Sequence, residues 1–365
     1  MILKKLSRKI YLPLIVAICT LIYNEYLIYY QVISECKFPT LNSTSSKPVN
    51  VMLIADTHLL GSRNGHWFDK LRREWQQYRA YQTANYYLKP NYILILGDLT
   101  DEGKWCGDNE WNYYVNRTNE LFTVDNKITK LFILVGNHDV GFHYNLNDHM
   151  LQRFNRSFSK QFIDFYQLEE NNVSFVLLNS MALENDRCKF CNEAQRQLKD
   201  LNSTLNCIRD NNCKHKGKTY EINKNKKYTK PIIFTHFPLY RTSDKICPND
   251  IDSEPIEQSY NYKPNFDCLS KDSTKQVLYY FIILTHKLLF LFKIFSFPKL
   301  IELLNPRVVF SGHTHFSCFN QEHGVPEHTI ASFSWRNIKT PSMLLVKIII
   351  LSYKNFISIN SCNFR

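Results

Sequence analysis

The chain has 365 residues, which is enough for one large α/β domain or two small ones with a full hydrophobic core. Its formal net charge of +12 raises the question of a nucleic-acid partner. The lysines, however, concentrate in one polar stretch, 214–230, which has no DNA-reading helix or base-stacking motif beside it. Because charge blocks of this kind are most often solvated loops, the composition argues against nucleic-acid binding, and we expect no nucleic-acid partner.

The N-terminus has the pattern of a membrane-targeting segment. Four basic residues within 1–9 precede an apolar run over 10–33 that is interrupted by Asn24 and Glu25. About 20 apolar residues span a bilayer, and a basic flank stays on the cytoplasmic side. We therefore predict a cytoplasmic basic tail over 1–9, a transmembrane signal-anchor over 10–33 and a linker over 34–49. A cleaved signal peptide is the alternative, although no convincing small-x-small cleavage site follows the run.

Two further features are consistent with a lumenal body. Asn-x-Ser/Thr glycosylation acceptors occur at Asn42, Asn116, Asn155, Asn172 and Asn202. Cysteines in or beside polar segments favour disulfides in an oxidising lumen; they are Cys188, Cys191, Cys207, Cys213, Cys247, Cys268 and Cys318. The alternative is a zinc site formed by the first four of these cysteines. The pairing does not follow from the sequence.

Three short apolar runs, 51–55, 92–96 and 131–135, predict buried strands. Between them, 67–88 and 110–122 have helical spacing and good helix formers. An order of strand, helix, strand, helix and strand is typical of βαβ units. The sequence therefore predicts an α/β fold with a parallel sheet.

The apolar run over 173–179 continues this sheet. The runs over 231–235 and 307–310 lead to His236 and to the cluster at Gly312. The last residues, 341–365, are set apart as an atypical C-terminal tail. Its short apolar run has the length of a strand and not that of a membrane span.

The segment 277–297 is apolar enough to raise the possibility of a second membrane span. A single crossing there would place the cluster that begins at Gly312 on the opposite side of the bilayer from the cluster at Asp56. The two clusters could not then share a metal site. We therefore expect a helix that lies on the domain or in the membrane interface, and we treat 277–300 as an apolar insert in a lumenal domain over 50–340.

Short polar clusters follow five of the predicted strands, and they carry the chemistry of the chain. They are Asp56-Thr57-His58, Gly97-Asp98, Gly136-Asn137-His138-Asp139, His236 and Gly312-His313-Thr314-His315. Loops at the carboxyl ends of strands form the sites of open α/β sheets. The clusters supply carboxylate oxygen, amide oxygen and imidazole nitrogen, which are ligands for divalent cations. This pattern predicts a dinuclear metal centre, whose usual work is the hydrolysis of phosphate esters.

The ligands divide into two sets that share one carboxylate. Asp98 is the predicted bridge, because it follows a glycine that lets the backbone turn tightly. The first ion takes Asp56, His58 and His315, and the second takes Asn137, His236 and His313. Two such ions lower the pKa of a water between them, so that the water becomes the hydroxide that attacks phosphorus.

Two residues beside these ligands are the predicted catalytic residues. His138 is next to a ligand but is not needed as one, so it is free to protonate the leaving alkoxide or to stabilise the charge of the phosphorane-like state. Asp139 is predicted to orient His138.

The order of motifs D-x-H, G-D-x-x-D, G-N-H-D, H and G-H-x-H resembles the calcineurin-like metallophosphoesterase superfamily over about 51–337. The resemblance implies a four-layer α/β sandwich with the dinuclear site at the sheet edge, preceded by a membrane anchor. The stretches ADTHLLG, ILGDLTDEGKW, VGNHDVGFHY and SFSWRN are similar to a membrane-anchored subgroup of that superfamily. Members of the subgroup remove ethanolamine-phosphate from a mannose of glycosylphosphatidylinositol (GPI) anchors.

For this chain, the resemblance implies two divalent ions, with Mn²⁺ expected, and a GPI glycolipid or GPI-anchored protein as the substrate. It also implies a location in membranes of ER exit sites, the ER–Golgi intermediate compartment and the Golgi, with the catalytic domain in the lumen. Two alternatives stay open. One is a lumenal phosphomonoesterase or protein phosphatase of the same superfamily, and the other is a catalytically inactive lumenal adaptor.

Overall fold

The computed structural model describes residues 2–40, 48–63, 65–158, 161–168, 172–184, 188–210, 227–248, 250–255, 259–274, 280–285, 288–293, 300–351 and 354–364. Asn42, Cys213 and most of the lysine-rich stretch 214–230 lie outside these residues.

The helices and strands follow the predicted α/β pattern. The helices are α1 (Ile2–Ile22), α2 (Ile28–Glu35), α3 (Trp67–Leu88), α4 (Asp108–Leu121), α5 (Asn137–Val140), α6 (Asp148–Ser157), α7 (Cys191–Asp210), α8 (Lys271–Thr274) and α9 (Leu300–Leu304). The strands are β1 (Val49–Ile54), β2 (Tyr92–Ile95), β3 (Lys130–Ile133), β4 (Ile163–Leu168), β5 (Val173–Leu178), β6 (Ile232–Thr235), β7 (Tyr280–Thr285), β8 (Leu288–Lys293), β9 (Val308–Ser311), β10 (Cys318–Asn320), β11 (Glu327–Thr329), β12 (Ser342–Leu351) and β13 (Lys354–Asn363).

The N-terminal apolar run forms one nearly continuous helix. A π-helical turn, Tyr23–Leu27, joins α1 to α2 and contains both residues that interrupt the run. The stretch Tyr11–Glu35 is long and apolar enough to cross a membrane, by length and composition. In α2, Tyr29 and Ile33 are buried. The end of this helix therefore packs against the rest of the protein.

Two sheets form the centre of the molecule. One has the strand order β13-β12-β1-β2-β3, and the other has the order β10-β11-β9-β6-β5-β4. The strands β1, β2 and β3 are mutually parallel, as are β5, β6, β9 and β11. The α/β class predicted from the sequence is confirmed.

Alternate residues of β1 divide between two core clusters, as expected for side chains on opposite faces of a strand. Val51 and Leu53 belong to the cluster shared with Phe234 of the second sheet. Met52 belongs to the other cluster, which includes Ala80 of α3. Burial on both faces explains why these strands are continuous apolar runs in the sequence. The sheets are thus the inner layers of a helix–sheet–sheet–helix arrangement.

The residues assigned to a C-terminal tail belong to the first sheet. The strand β12 pairs antiparallel with β1, and β13 pairs with β12. Cross-strand pairing buries apolar side chains such as Leu345 and Ile348, so the domain does not end at residue 340. The expectation that the apolar run here has strand length agrees with β12.

The expected helix over 277–297 is wrong. Two antiparallel strands, β7 and β8, form a separate two-stranded sheet there. The sequences YFIILT and LLFLFK are rich in aromatic and β-branched residues, which favour strands. Among the described residues, this hairpin pairs with neither of the larger sheets.

Candidate metal centre

The loops after β1, β2, β3, β6 and β9 carry the predicted ligands to one edge of the two sheets. Positive φ angles occur at five of these ligands, which are Asp56 (54°), His58 (46°), Asp98 (46°), His313 (77°) and His315 (66°). Residues other than glycine rarely adopt this conformation. Backbone strain of this kind concentrates at functional sites, where the surrounding structure holds it in place.

Two glycines allow these loops to approach each other closely. A Cβ atom added at Gly136 would lie 2.2 Å from the backbone nitrogen of Asp98. A Cβ atom added at Gly312 would lie 2.7 Å from Oδ2 of Asp56. Both distances are shorter than any ordinary contact, so each loop needs glycine where it passes a carboxylate of the site.

Asp56, His58 and His315 form the first group of candidate ligands. Nε2 of His58 lies 3.1 Å from Nε2 of His315. Oδ1 of Asp56 lies 4.0 Å from Nε2 of His58 and 3.9 Å from Nε2 of His315. Three ligand atoms that converge in this way can surround one cation.

Asp98, His236 and His313 form the second group. Nε2 of His236 lies 3.3 Å from Oδ1 of Asp98 and 3.1 Å from Oδ1 of Asn137. The amide oxygen of Asn137, which was predicted to be a ligand, therefore lies beside this second group.

Asp98 lies between the two groups. Its Oδ1 faces His236, whereas its Oδ2 lies 3.6 Å from Nε2 of His58. The backbone nitrogen of His138 donates to Oδ1 at 2.8 Å and fixes the carboxylate in this orientation. Each oxygen is thus directed at a different group, so this carboxylate is placed to contact cations in both.

The donor set fits divalent metal ions. Metal-binding histidines usually hold one ring nitrogen on an oxygen acceptor and present the other to the metal. Nδ1 of His58 lies 3.2 Å from Oδ1 of Asp101, and Nδ1 of His236 lies 2.8 Å from the carbonyl oxygen of Leu96. Nε2 of His313 lies 2.7 Å from the carbonyl oxygen of Phe266.

Two ligand atoms of the site are buried without a partner. They are Oδ1 of Asp56 and Nδ1 of His313. Buried polar atoms normally have hydrogen-bond partners, and the binding of an ion is one reason for an exception. Cations in the two groups would satisfy both atoms.

The pKa values of the site show an imbalance of charge that cations would correct. Burial raises the pKa of Asp56 to about 8, although His236 opposes this change. Burial would also raise the pKa of Asp98, but His236 holds it well below its ordinary value. The two carboxylates in turn raise the pKa of His236 to about 9 against the effect of burial. Divalent ions would keep both carboxylates ionised and the imidazole neutral.

His138 lies beside the candidate ligands, whereas the carboxylate of Asp139 has other hydrogen-bond partners than His138. Nδ1 of His138 lies 2.8 Å from the carbonyl oxygen of Asp101 and 3.7 Å from its Oδ1. The Asp139 carboxylate instead accepts hydrogen bonds from the backbone nitrogens of Thr100 and Gly136, at 2.9 Å each. The prediction that Asp139 orients His138 is therefore wrong, because this carboxylate joins the loops after β2 and β3.

The role of Asp101 was not predicted from the sequence. Its carboxylate contacts His58 and also accepts a hydrogen bond at 2.8 Å from Nη1 of Arg336. It therefore positions one candidate ligand and links the loop after β2 to the loop after β11. The aspartate three positions after Asp98 in the G-D-x-x-D motif was the signal that could have identified it.

The disulfides differ in part from expectation. Disulfides join Cys188 to Cys191 and Cys247 to Cys318. The alternative zinc site is wrong, because the first of these bonds leaves neither cysteine available as a thiolate. Cys268 is free and buried, contrary to expectation. The bond Cys36–Cys362 was not predicted.

Comparisons with known proteins agree with this geometry. A family model described as calcineurin-like phosphoesterase matches residues 49–317. Metallophosphoesterase 1 of Xenopus laevis is 39% identical over 347 residues, which cover 90% of this chain and 78% of that protein. The Cricetulus griseus protein of the same name is 37% identical over 347 residues, covering 93% and 81%. The Danio rerio protein is 36% identical over 334 residues, covering 89% and 78%.

The fold and the site define a calcineurin-like phosphoesterase, and the chain belongs to this family. Its relatives in these three vertebrates are metallophosphoesterase 1 proteins. The family resemblance read from the sequence is confirmed. The chain is a metal-dependent phosphoesterase.

Proposed function

We propose that this chain is a phosphodiesterase that removes ethanolamine-phosphate from a mannose of the GPI-anchor glycan. The observation that carries the proposal is the position of the Asp98 carboxylate between two groups of metal-ligating side chains. Its substrate is a GPI glycolipid or a GPI-anchored protein. The reaction remodels the anchor and supports transport from the ER to the Golgi.

Asp56, His58 and His315 would hold one ion, Asn137, His236 and His313 would hold the other, and Asp98 would contact both. Two bound ions, with Mn²⁺ expected, supply Lewis acidity and a water of lowered pKa. Other residues of the chain hold the metal-ligating side chains in position and supply a proton. Before the attack, the water releases one proton to solvent. As its oxygen bonds to phosphorus, the bond from phosphorus to the mannose oxygen breaks, and His138 donates a proton to the mannose oxygen.

The proposed location is in membranes of ER exit sites, the ER–Golgi intermediate compartment and the Golgi. The N-terminal helix is the proposed anchor, with its basic end in the cytoplasm. The bonds Cys36–Cys362 and Cys247–Cys318 support a lumenal catalytic domain, because disulfides persist in oxidising compartments.

The test uses the purified full chain and a synthetic ethanolamine-phosphate–mannose substrate. Chelation should abolish release of phosphoethanolamine, Mn²⁺ should restore it, and Asp98→Ala should remain inactive after Mn²⁺ is added. Asp200→Ala is a suitable control, because this residue lies on the exposed side of α7. Activity that survives in Asp98→Ala would overturn the proposed metal chemistry. Hydrolysis of phosphomonoesters alone would overturn the proposed substrate.

A further inference from the structure

The end of the N-terminal helix is docked on α3. Oε1 of Glu25 lies 2.7 Å from Nη1 of Arg72. The ring of Tyr26 meets the ring of Trp75 edge to face at 5.6 Å, and the guanidinium of Arg79 lies 4.7 Å from the centre of the Tyr26 ring. These contacts hold the helix against the catalytic domain, so it is more than a flexible tether.

The same helix ends at the edge of the sheet that carries the metal site. The residue that follows it, Cys36, is bonded to Cys362. In the sheet, Cys362 is opposite Met343, and the neighbouring Leu344 is opposite Leu53 of β1. Met343 therefore lies at the carboxyl end of β1, where the loop with the first candidate ligands begins.

Helix α3 passes the same edge and extends beyond it. Nε2 of Gln77 donates to the carbonyl oxygen of Thr57, within the first metal loop. At a rise of 1.5 Å per residue, Trp67 lies about 15 Å further along the helix axis. By the same rise, Glu25 lies about 16 Å from Cys36. The ion pair of Glu25 with Arg72 places this part of the N-terminal helix beside the projecting part of α3.

The projecting end of α3 exposes large apolar side chains. Trp67 is 69% exposed, Phe68 is 58% exposed and Leu71 is 62% exposed. The apolar residues of α1, such as Leu21, continue past this point and are also exposed. The contacts of Glu25 and Tyr26 with α3 therefore place its apolar end beside the proposed membrane anchor.

We propose that Trp67, Phe68 and Leu71 contact the lipid interface, so that the metal-bearing edge faces the bilayer at a distance on the order of 15 Å. The proposal rests on the membrane anchor of the proposed function. Aromatic side chains are enriched at the membrane–water interface, where an apolar ring lies beside polar headgroups. A site held in this position favours a lipid-linked substrate whose scissile phosphate stands well above the headgroup layer.

The test compares two tryptophan reporters on the same helix. Phe68→Trp places an indole at the proposed contact, and Tyr86→Trp places one at the opposite end, where Tyr86 is 73% exposed. The full-length variants are reconstituted in nanodiscs with or without lipids brominated near the headgroup. Bromine should quench the additional fluorescence of Phe68→Trp but not that of Tyr86→Trp. Equal quenching of the two, or quenching of neither, would overturn the proposal.

A second measurement separates this proposal from the choice of GPI substrate. The substrate is a synthetic phosphodiester joined by a long spacer to a lipid in the same vesicles as the protein. Trp67→Ser/Phe68→Ser should lower its hydrolysis several-fold but leave the rate on soluble bis(p-nitrophenyl) phosphate unchanged, which also shows that the variant is folded. Tyr86→Ser/Tyr87→Ser is the matched control and should change neither rate. Equal rates for the two double variants on the vesicle substrate would contradict the proposal, whether or not the chain acts on GPI.

Discussion

His138 is the residue whose environment best matches proton donation. Its Nδ1 is held by the carbonyl oxygen of Asp101, so Nε2 is the ring atom left to donate a proton to the leaving group. We expect His138→Ala to lower kcat about 10²- to 10⁴-fold for a sugar alkoxide leaving group, the usual contribution of a general acid. The loss should be much smaller with bis(p-nitrophenyl) phosphate, because p-nitrophenolate leaves without protonation.

His149→Ala is the control for this measurement, because His149 has an exposed side chain on α6. It should leave both rates unchanged. If His138→Ala reduced both rates by the same factor, the imidazole would act by supporting the arrangement of the metal site and not by donating a proton to the leaving group.

Asp101 is a positioning residue, because it contacts His58 and not the reacting atoms. Removal of such a support typically costs 10- to 100-fold in metal affinity or activity. We expect Asp101→Ala to raise the Mn²⁺ concentration needed for half-maximal activity by about that factor. The backbone carbonyl that holds His138 remains in this variant, so kcat at saturating Mn²⁺ should stay near the wild-type value. A loss of kcat that excess Mn²⁺ does not restore would show a different role.

At the scale of secondary structure, the sequence predicts the elements that carry the site. The continuous apolar run of β1 and the helical spacing of α3 led to bounds within two residues of those observed. Both elements are bounded by clear signals, because polar residues follow β1 and Pro90 follows α3. The set of candidate ligands could be predicted from the sequence, because all five loops that carry them lie at the same edge of the sheets.

The wrong predictions concern features that the local sequence pattern does not determine, such as the type of an apolar element or the tertiary partner of a side chain. The segment 277–297 has no clear period, and an apolar run alone does not distinguish a strand from a helix. Asp139 follows His138 directly in the sequence, but its carboxylate accepts a hydrogen bond from the backbone of Thr100. This contact depends on how the loops after β2 and β3 pack together, which the local sequence does not determine. Cys36 and Cys362 are 326 residues apart, so no spacing rule joins them.

The Cys36–Cys362 bond ties the N-terminal helix to the last strand of the sheet. A disulfide that closes a long loop typically contributes about 2–4 kcal/mol of stability. We expect Cys36→Ser to lower the thermal midpoint of the full chain in detergent, measured with Mn²⁺ present. Cys362→Ser should give the same decrease, and the double variant should lose no more than either single variant. Cys19→Ser, which removes a free cysteine, should leave the midpoint unchanged. Additive losses in the double variant would show that the two cysteines act independently.

At the scale of the whole molecule, the metal centre couples stability to metal and to pH. The ligands come from five loops, so ions that bind only the folded chain should stabilise the whole domain by about 2.7 kcal/mol per site at a concentration 100 times Kd. In the metal-free protein, the pKa of Asp56 is raised from 3.8 to about 8. Between these values the folded state keeps a proton that the unfolded state releases. Stability should therefore decrease as the pH rises through this range.

Asp56→Asn tests both effects in one experiment. The amide has no proton to release, so with EDTA present its thermal midpoint should fall less than that of the wild type as the pH rises from about 4 to about 8. Near pH 8, the metal-free variant should be at least as stable as the metal-free wild type, because a buried carboxyl no longer has to stay protonated. Addition of Mn²⁺ should reverse the order, since only the wild type keeps the full ligand set. Parallel pH profiles without metal, or an equal gain from Mn²⁺ in both proteins, would contradict the role assigned to Asp56.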